Sequence, residues 1–437
     1  MTRGLSLAET VETILRYVPP VFGSANGHAD GVTLALLDSV FRHQPLELSS
    51  VTRPWAALIT PDDADRLAGR KALAGGEVAV LVPAGGTGGR FGRYDLPEHD
   101  PRRQKALAKV LRLAGWPVSA LDIRMANVRH WDARMPVAVM GSATGADALH
   151  AWWDGLDEPY RSSTHLFRQH GVYRVDRDLL AGDPRRWVDA IVRDERGVPS
   201  RKPHGSMGLF TASIISGLFD RWADAGVKYL VMANADDVLF RLDPGTIGHL
   251  ERHATVDAVV HAVPWAYSAG EGEGTVRADA EGWSSDQRGR PLAATVPAEL
   301  RRYDRGGALR IRGGRLAVAE GAWVADAMYS TNRLYLRVDA VKRLLGGSDR
   351  VAAIRRMIAE LPVYAEDKTV LVDGAPRPVR QLGQPLNGLL YLLGRCDVRL
   401  GSRLDRDGYS PLKVPEDVRF AQLELDRRGA GDELKLP

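Results

Sequence analysis

The chain has 437 residues, of which 44% are hydrophobic and 26% charged, with a formal net charge of +4. That is the composition of an ordinary folded protein with room for two or three domains, and its interleaved acids and bases exclude a nucleic-acid or membrane-surface tract. The single cysteine, Cys396, excludes an intramolecular disulfide and a cysteine-built metal cluster within one chain.

Residues 1–76 alternate helical patterning at Ala8 to Tyr17, Thr33 to Phe41 and Pro61 to Ala74, with Thr60 or Asp62 placed to cap the last of these. This reads as a helical N-terminal region without chemistry of its own. The first residues lack a basic segment followed by an apolar core, and no apolar run reaches membrane-spanning length, so the sequence implies a cytoplasmic protein.

From residue 77 the pattern becomes strand, loop, helix, repeated. Val78 to Val82, Val137 to Met140, Tyr229 to Ala233 and Ala258 to Val263 read as buried strands; Lys105 to Ala114, Ala146 to Asp154 and Thr211 to Ala225 read as helices. The expected fold class is therefore α/β, a doubly wound, mostly parallel sheet whose ligands sit at the carboxyl ends of its strands. Ser268 to Arg302 is a polar, loop-rich insertion. Leu309 to Ile311 and Leu316 to Val318 flank Arg312-Gly313-Gly314-Arg315 as a hairpin, and Thr331 to Leu345 reads as a strand feeding a helix. Beyond about residue 370 the chain is strand-like and interrupted by Pro and Gly. The boundaries are 77–369 for the catalytic domain and 370–437 for a small β-rich C-terminal domain.

The stretch carrying most chemistry is Val78 to Gly92, a buried-strand run passing into Ala84-Gly85-Gly86-Thr87-Gly88-Gly89-Arg90. Glycines there let backbone N–H groups approach a polyanion, and Arg90 adds a planar fork for phosphate oxygens. The same glycines also suit a plain surface hairpin. A Walker loop is excluded because no Gly-Lys-Ser/Thr follows, and a dinucleotide fingerprint because Phe91 stands where its third glycine would be.

Five further polar stretches follow in order: Arg102 to Leu107, Lys202 to Phe210, Tyr229 to Leu239, Ala327 to Arg333 and Asp407 to Lys413. In the third, a buried strand ends in Asn234-Ala235-Asp236-Asp237. Carboxylates at a sheet's carboxyl edge either ligate a hard divalent cation or cap the next helix.

Taken together, the six stretches resemble the eukaryotic-type UDP-sugar pyrophosphorylases, the UDP-glucose and UDP-N-acetylglucosamine enzymes. Ala84 to Gly92 is similar to their Ala-Gly-Gly-x-Gly-Thr-Arg-Leu-Gly, Gln104 to Leu107 to Pro-Lys-Gly-Leu, and Pro203 to Phe210 to Pro-x-Gly-Asn-Gly-Gly-Leu-Tyr. Ala235 to Leu239 resembles Val-Asp-Asn-x-Leu, and the Asp-Pro that follows it recurs at Asp243-Pro244. Asp304 to Gly307 with Glu320 resembles the sugar side, Tyr329 to Arg333 resembles Phe-Asn-Thr-Asn-Asn, and Tyr409 to Lys413 resembles Phe-Ser-Pro-Leu-Lys. Gly89, Phe91, Ser206, Met207 and Asp237 depart from these patterns.

The resemblance implies a uridylyltransferase that joins UTP and a sugar 1-phosphate with Mg²⁺ as cofactor. It implies catalytic roles for Arg90, Lys105 and Lys413, and nucleotide binding by Ala84, Gly85, Gly86, Gly88, Gln169, Gly205 and Ser206. It further implies sugar binding by Gly307, Glu320 and Asn332, and a metal ligand in Asp236. Asp237 is open between a second ligand and a cap. Features of both branches coexist, so another nucleotide, an unusual sugar or cyclitol phosphate, and a non-catalytic nucleotide-sugar binder are the alternatives.

Overall fold

The computed structural model describes residues 58–86, 104–142, 145–169, 171–176, 190–203, 206–264, 284–285, 291–292, 307–312, 315–320, 328–347, 350, 353–354, 356–357, 364–384, 386, 389, 392–401, 409, 411–412 and 416–429. The helices expected at Ala8 to Tyr17 and Thr33 to Phe41 lie outside them. The chain divides into two compact units, the larger from 48–168, 216–344 and 393–437, the smaller from the first 47 residues with 169–215 and 345–392.

An eight-stranded sheet runs through the larger unit. Its strands, in chain order, are β1 (Leu58–Ile59), β2 (Val78–Pro83), β3 (Val137–Gly141), β4 (Thr164–Arg168), β5 (Tyr229–Met232), β6 (Ala258–Pro264), β7 (Met328–Arg337) and β8 (Cys396–Leu400). The spatial order is β1-β8-β6-β7-β5-β2-β3-β4. Every pairing is parallel except the two made by β7, which runs antiparallel between β5 and β6. The doubly wound, mostly parallel α/β class expected from the alternating pattern is the fold observed. The first five residues of β2 and all of β3 and β5 are buried, which explains why they read as continuous apolar runs rather than alternating ones.

Local rules place the helices. Asp62 caps Asp63–Ala74 in a capping box: the Asp65 N–H donates to Asp62 Oδ1 at 2.7 Å and the Asp62 N–H returns to Asp65 Oδ2 at 3.1 Å. Asp243 caps Pro244–Arg252 with proline in its first turn, giving a structural reason for the Asp243-Pro244 pair. These two helices meet backbone to backbone. A Cβ on Gly248 would lie 1.7 Å from the Asp65 carbonyl oxygen, and one on Gly69 equally close to that of Pro244. Gly248→Ala must push the helices apart, and thermal melting should show a loss of about 1–3 kcal/mol or more, the usual cost of overpacking; an unchanged melting temperature would contradict this contact.

Two helical expectations fail. Lys105 to Ala114 is a single turn followed by a hairpin, Leu111–Leu113 with Trp116–Val118, because Ala114 and Gly115 adopt positive φ of 49° and 84° and reverse the chain. Thr211 to Ala225 breaks into Met207–Ile215 and Leu218–Asp224 at Gly217, whose φ is 70°. Within the strand-like C-terminal stretch, Glu416–Arg427 is a helix. The hairpin expected around Arg312 to Arg315 forms as Gly307–Arg312 with Arg315–Glu320, and β7 feeds the helix Val338–Leu345.

In the smaller unit, Tyr364–Val372 and Ala375–Gly383 form a hairpin extended by Val175–Asp176. Asp373 and Gly374 turn it with φ of 50° and 76°. Among the described residues no helix is long and apolar enough to cross a membrane.

Candidate active site

The carboxyl ends of β2 and β5 converge on one turn. Past β2, the Ala84 N–H donates to the Met140 carbonyl at 2.8 Å, and past β5 the Ala235 N–H reaches the Pro83 carbonyl at 3.3 Å. The sheet ladder thus extends until Gly85-Gly86 on one side and Asp236-Asp237 on the other. Both aspartates are buried.

Lys105 arrives from the turn Gln104 to Ala108, whose Leu107 and Ala108 amides both donate to the Gln104 carbonyl at 2.9 Å. A Cβ on Gly86 would stand 3.9 Å from Lys105 Cε, so the lysine stem lies along the glycine backbone. Its ammonium forms an ion pair with Asp236 Oδ2, both groups being largely withdrawn from solvent. Sequence expectation thus finds Ala84, Gly85, Gly86, Lys105 and Asp236 gathered at one sheet edge. Gly88, Arg90, Gly205 and Lys413 lie outside the described residues. Leu412, immediately before Lys413, donates its N–H to the Asp236 carbonyl at 2.9 Å, and Pro411 forms a bridge with Asp237.

The open question about Asp237 is answered by Arg333. Its Nε donates to Asp237 Oδ2 at 2.6 Å and its Nη2 to Oδ1 at 3.0 Å, a bidentate fork with both side chains essentially inaccessible. Asp237 is thus the buried partner of Arg333, each of its oxygens accepting one guanidinium N–H. Two departures from the sequence pattern, Asp237 and Arg333, are therefore one feature: they meet as an ion pair.

A helix opposite, Ala120–Arg129, grips the same loop from below. Arg124 Nη2 donates to the carbonyls of Asn234 at 2.6 Å and Asp237 at 2.9 Å, while its guanidinium lies 3.8 Å from the centre of the Phe240 ring. Burial pulls the Arg124 guanidinium below the usual arginine range, and the Asp237 charge partly opposes this. One turn on, Asn127 Oδ1 accepts the Leu242 N–H at 3.2 Å. Sequence reasoning missed both; the available signal was the spacing of Arg124 and Asn127 at i, i+3 on one helix face.

Farther along the sheet, β7 bulges against β6 between His261 and Ala262, and Asn332 adopts a φ of 57° there. A bulge with a left-handed residue re-aims a side chain out of the ladder. The bulge is tied by Thr331, whose Oγ1 donates to the His261 carbonyl at 2.9 Å and accepts from the Arg333 N–H at 3.3 Å. His261 Nδ1 lies 3.1 Å from the same Thr331 hydroxyl. Burial, with Arg333 and Arg399 nearby, holds its pKa well below the usual histidine range. Gly307 and Glu320 are direct cross-strand partners in the hairpin.

In the smaller unit the Ser206 hydroxyl accepts the Leu386 N–H at 2.8 Å, and the next amide, Met207, donates to the Gln384 carbonyl at 3.1 Å. Gln169 directly follows β4 and is half-buried.

A glycine turn, a lysine and an aspartate thus meet at the carboxyl edge of a mostly parallel α/β sheet. Among solved structures the chain is similar to a variant of UDP-glucose pyrophosphorylase from Leishmania major, at 15% identity over 96% of this chain and 80% of that one, with a TM-score of 0.59. It is also similar to the UDP-N-acetylglucosamine pyrophosphorylase of Trypanosoma brucei, at 16% identity, 96% and 85% coverage and a TM-score of 0.58. Another Leishmania major variant, crystallised with UDP-glucose, matches at 16% identity over 96% and 80%, with a TM-score of 0.58. The chain has the fold of the UDP-sugar pyrophosphorylases. No family model matches it.

Proposed function

We propose that the protein is a UTP-dependent sugar-1-phosphate uridylyltransferase, forming a nucleotide sugar and pyrophosphate. The observation that carries this reading is the Lys105–Asp236 pair set against Gly86 where β2 and β5 end. Its neighbours in fold include a protein crystallised with UDP-glucose.

In the proposed reaction an oxygen of the sugar 1-phosphate attacks the α-phosphorus in line, a new P–O bond forms, and the bond to the β-phosphate oxygen breaks to release pyrophosphate. Both reactants are anions, so alignment and charge neutralisation supply most of the rate, and no side-chain nucleophile is needed. The glycine backbone and Arg90 would hold the β and γ phosphates, and Lys105 the α phosphate. Lys413 would neutralise the sugar phosphate and the five-coordinate phosphorus. Gln169, Gly205 and Ser206 would face the base, while Gly307, Glu320 and Asn332 would hold the sugar.

The residues fit a magnesium ion. Asp236 offers one hard carboxylate at the sheet edge, and the second acid is committed to Arg333, in keeping with the habit of Mg²⁺ of binding one or two carboxylates plus substrate phosphates. Held by Asp236, such an ion would supply positive charge to offset that of the triphosphate.

The test is pyrophosphate release over a panel of triphosphates and sugar or cyclitol 1-phosphates with Mg²⁺. The expected result is release with UTP and one hexose 1-phosphate, abolished by chelator. Release with a different triphosphate alone would overturn the uridine assignment; nucleotide-sugar binding without release on any pair would make the protein a binder.

A further inference from the structure

We propose that Asp65, His249 and His253 form a binding site for a divalent transition-metal ion of the zinc type, apart from the Lys105–Asp236 site. One ligand atom from each of the three lies within 4.8 Å of the others. His249 and His253 are four apart at the end of Pro244–Arg252, so they share one helix face, and their rings stand 4.3 Å apart with a tilt of 37°. Asp65 comes from the first turn of Asp63–Ala74, the helix packed on it.

Three features separate this cluster from a chance meeting of polar groups. The first is rigidity, because the glycine contact at Gly69 and Gly248 locks the two helices that carry the ligands. The second is an outer partner: His249 Nε2 lies 3.0 Å from Oδ2 of the fully buried Asp397 on β8. Donation of the Nε2–H to that carboxylate leaves the Nδ1 lone pair for a cation, the arrangement by which proteins orient and polarise metal-binding imidazoles.

The third is charge. Asp62, Asp65 and Asp397 surround the cluster, opposed by the guanidiniums of Arg252, 2.8 Å from both Asp62 and Asp65, and Arg395, 3.3 Å from Asp397. The carboxylate of Asp65 thus faces the two imidazoles with Asp62 and Asp397 close behind, a setting that favours a cation. Asp65 receives one bond on each oxygen, from the Asp62 amide and from Arg252, and each carboxylate oxygen retains a second acceptor site.

Two imidazoles and one carboxylate select Zn²⁺, or Co²⁺ and Ni²⁺ in its place, over Mg²⁺ and Ca²⁺, which take oxygen ligands. Three protein ligands leave a fourth position for water or an exogenous group. The test is calorimetric titration of tag-free, chelator-treated full-length protein with Zn²⁺, in parallel with Mg²⁺, and visible spectroscopy of the Co²⁺ form. One equivalent of Zn²⁺ should bind, raise the melting temperature and give Co²⁺ bands of a tetrahedral site, while Mg²⁺ does none of these. His253 is exposed, so His253→Ala should fold normally and weaken Zn²⁺ binding at least tenfold. Asp397→Asn should weaken it about 10–100-fold through the outer partner. Absence of stoichiometric Zn²⁺ binding, or equal affinity in wild type and His253→Ala, overturns the proposal; neither readout depends on turnover.

Discussion

Asp237→Asn should destabilise the protein by about 3–5 kcal/mol, because it strips the charge partner from an arginine that cannot reach water. Arg333 is 1% exposed, and its fork closes on the Asp237 carboxylate through two bonds of 2.6 and 3.0 Å. Arg333→Asn alone should be comparably damaging, since a carboxylate then lies buried opposite a short amide. The double variant Asp237→Asn/Arg333→Asn puts a neutral amide at both positions, as in the sequence pattern the chain resembles. It should recover a large part of the loss, leaving the cost of the cavity where the longer arginine lay. Urea melts of the four proteins give the coupling directly. Additive losses would mean that the two residues do not act as a pair, and that their joint departure from the pattern has no common cause.

That pair also marks where sequence reading stops. The parallel strands were legible because burial on both faces writes them as unbroken apolar runs, as in Val78 to Val82 and Tyr229 to Ala233. The Asp62 cap was legible because its chemistry is local. Lys105 was identified as a residue but misplaced in a helix, since the turn ending at Gln104 to Ala108 and the reversal at Ala114-Gly115 depend on backbone angles that the side chains do not announce. Asp237 was ambiguous for a different reason. Its partner lies 96 positions away on an antiparallel strand, and nothing in either segment states that β7 inserts between β5 and β6. Arg124 is the same case: the arginine is visible in its helix, but the Asn234 and Asp237 carbonyls it holds are not.

Lys105→Ala should reduce turnover on the order of 100- to 1,000-fold, the effect of removing a single preorganised charge stabiliser, and should lower the melting temperature as well, because it takes the ammonium away from a buried carboxylate. The argument turns on what Lys105 holds before substrate arrives. Its ammonium pairs with Asp236, so under the proposed function the lysine and Mg²⁺ compete for one carboxylate until a triphosphate gives the lysine an anion of its own. Each charge thereby keeps the other in place in the free protein, at a spot where desolvation makes an unpaired charge costly. Two consequences separate this arrangement from a merely structural ion pair. Without the lysine, Asp236 loses one competitor for the ion, and half-maximal activation of the residual rate should need less Mg²⁺ than in wild type. Asp236→Asn should have the opposite signature, a large loss of turnover with activation shifted to higher Mg²⁺, because the amide is a weaker oxygen donor and leaves Lys105 without its partner. Steady-state rates across a magnesium titration, with circular dichroism to verify folding, measure both. Wild-type turnover in Lys105→Ala, or an unshifted magnesium curve in Asp236→Asn, would remove these two residues from the reaction and leave the pair as a fastening between the Gln104 turn and the end of β5.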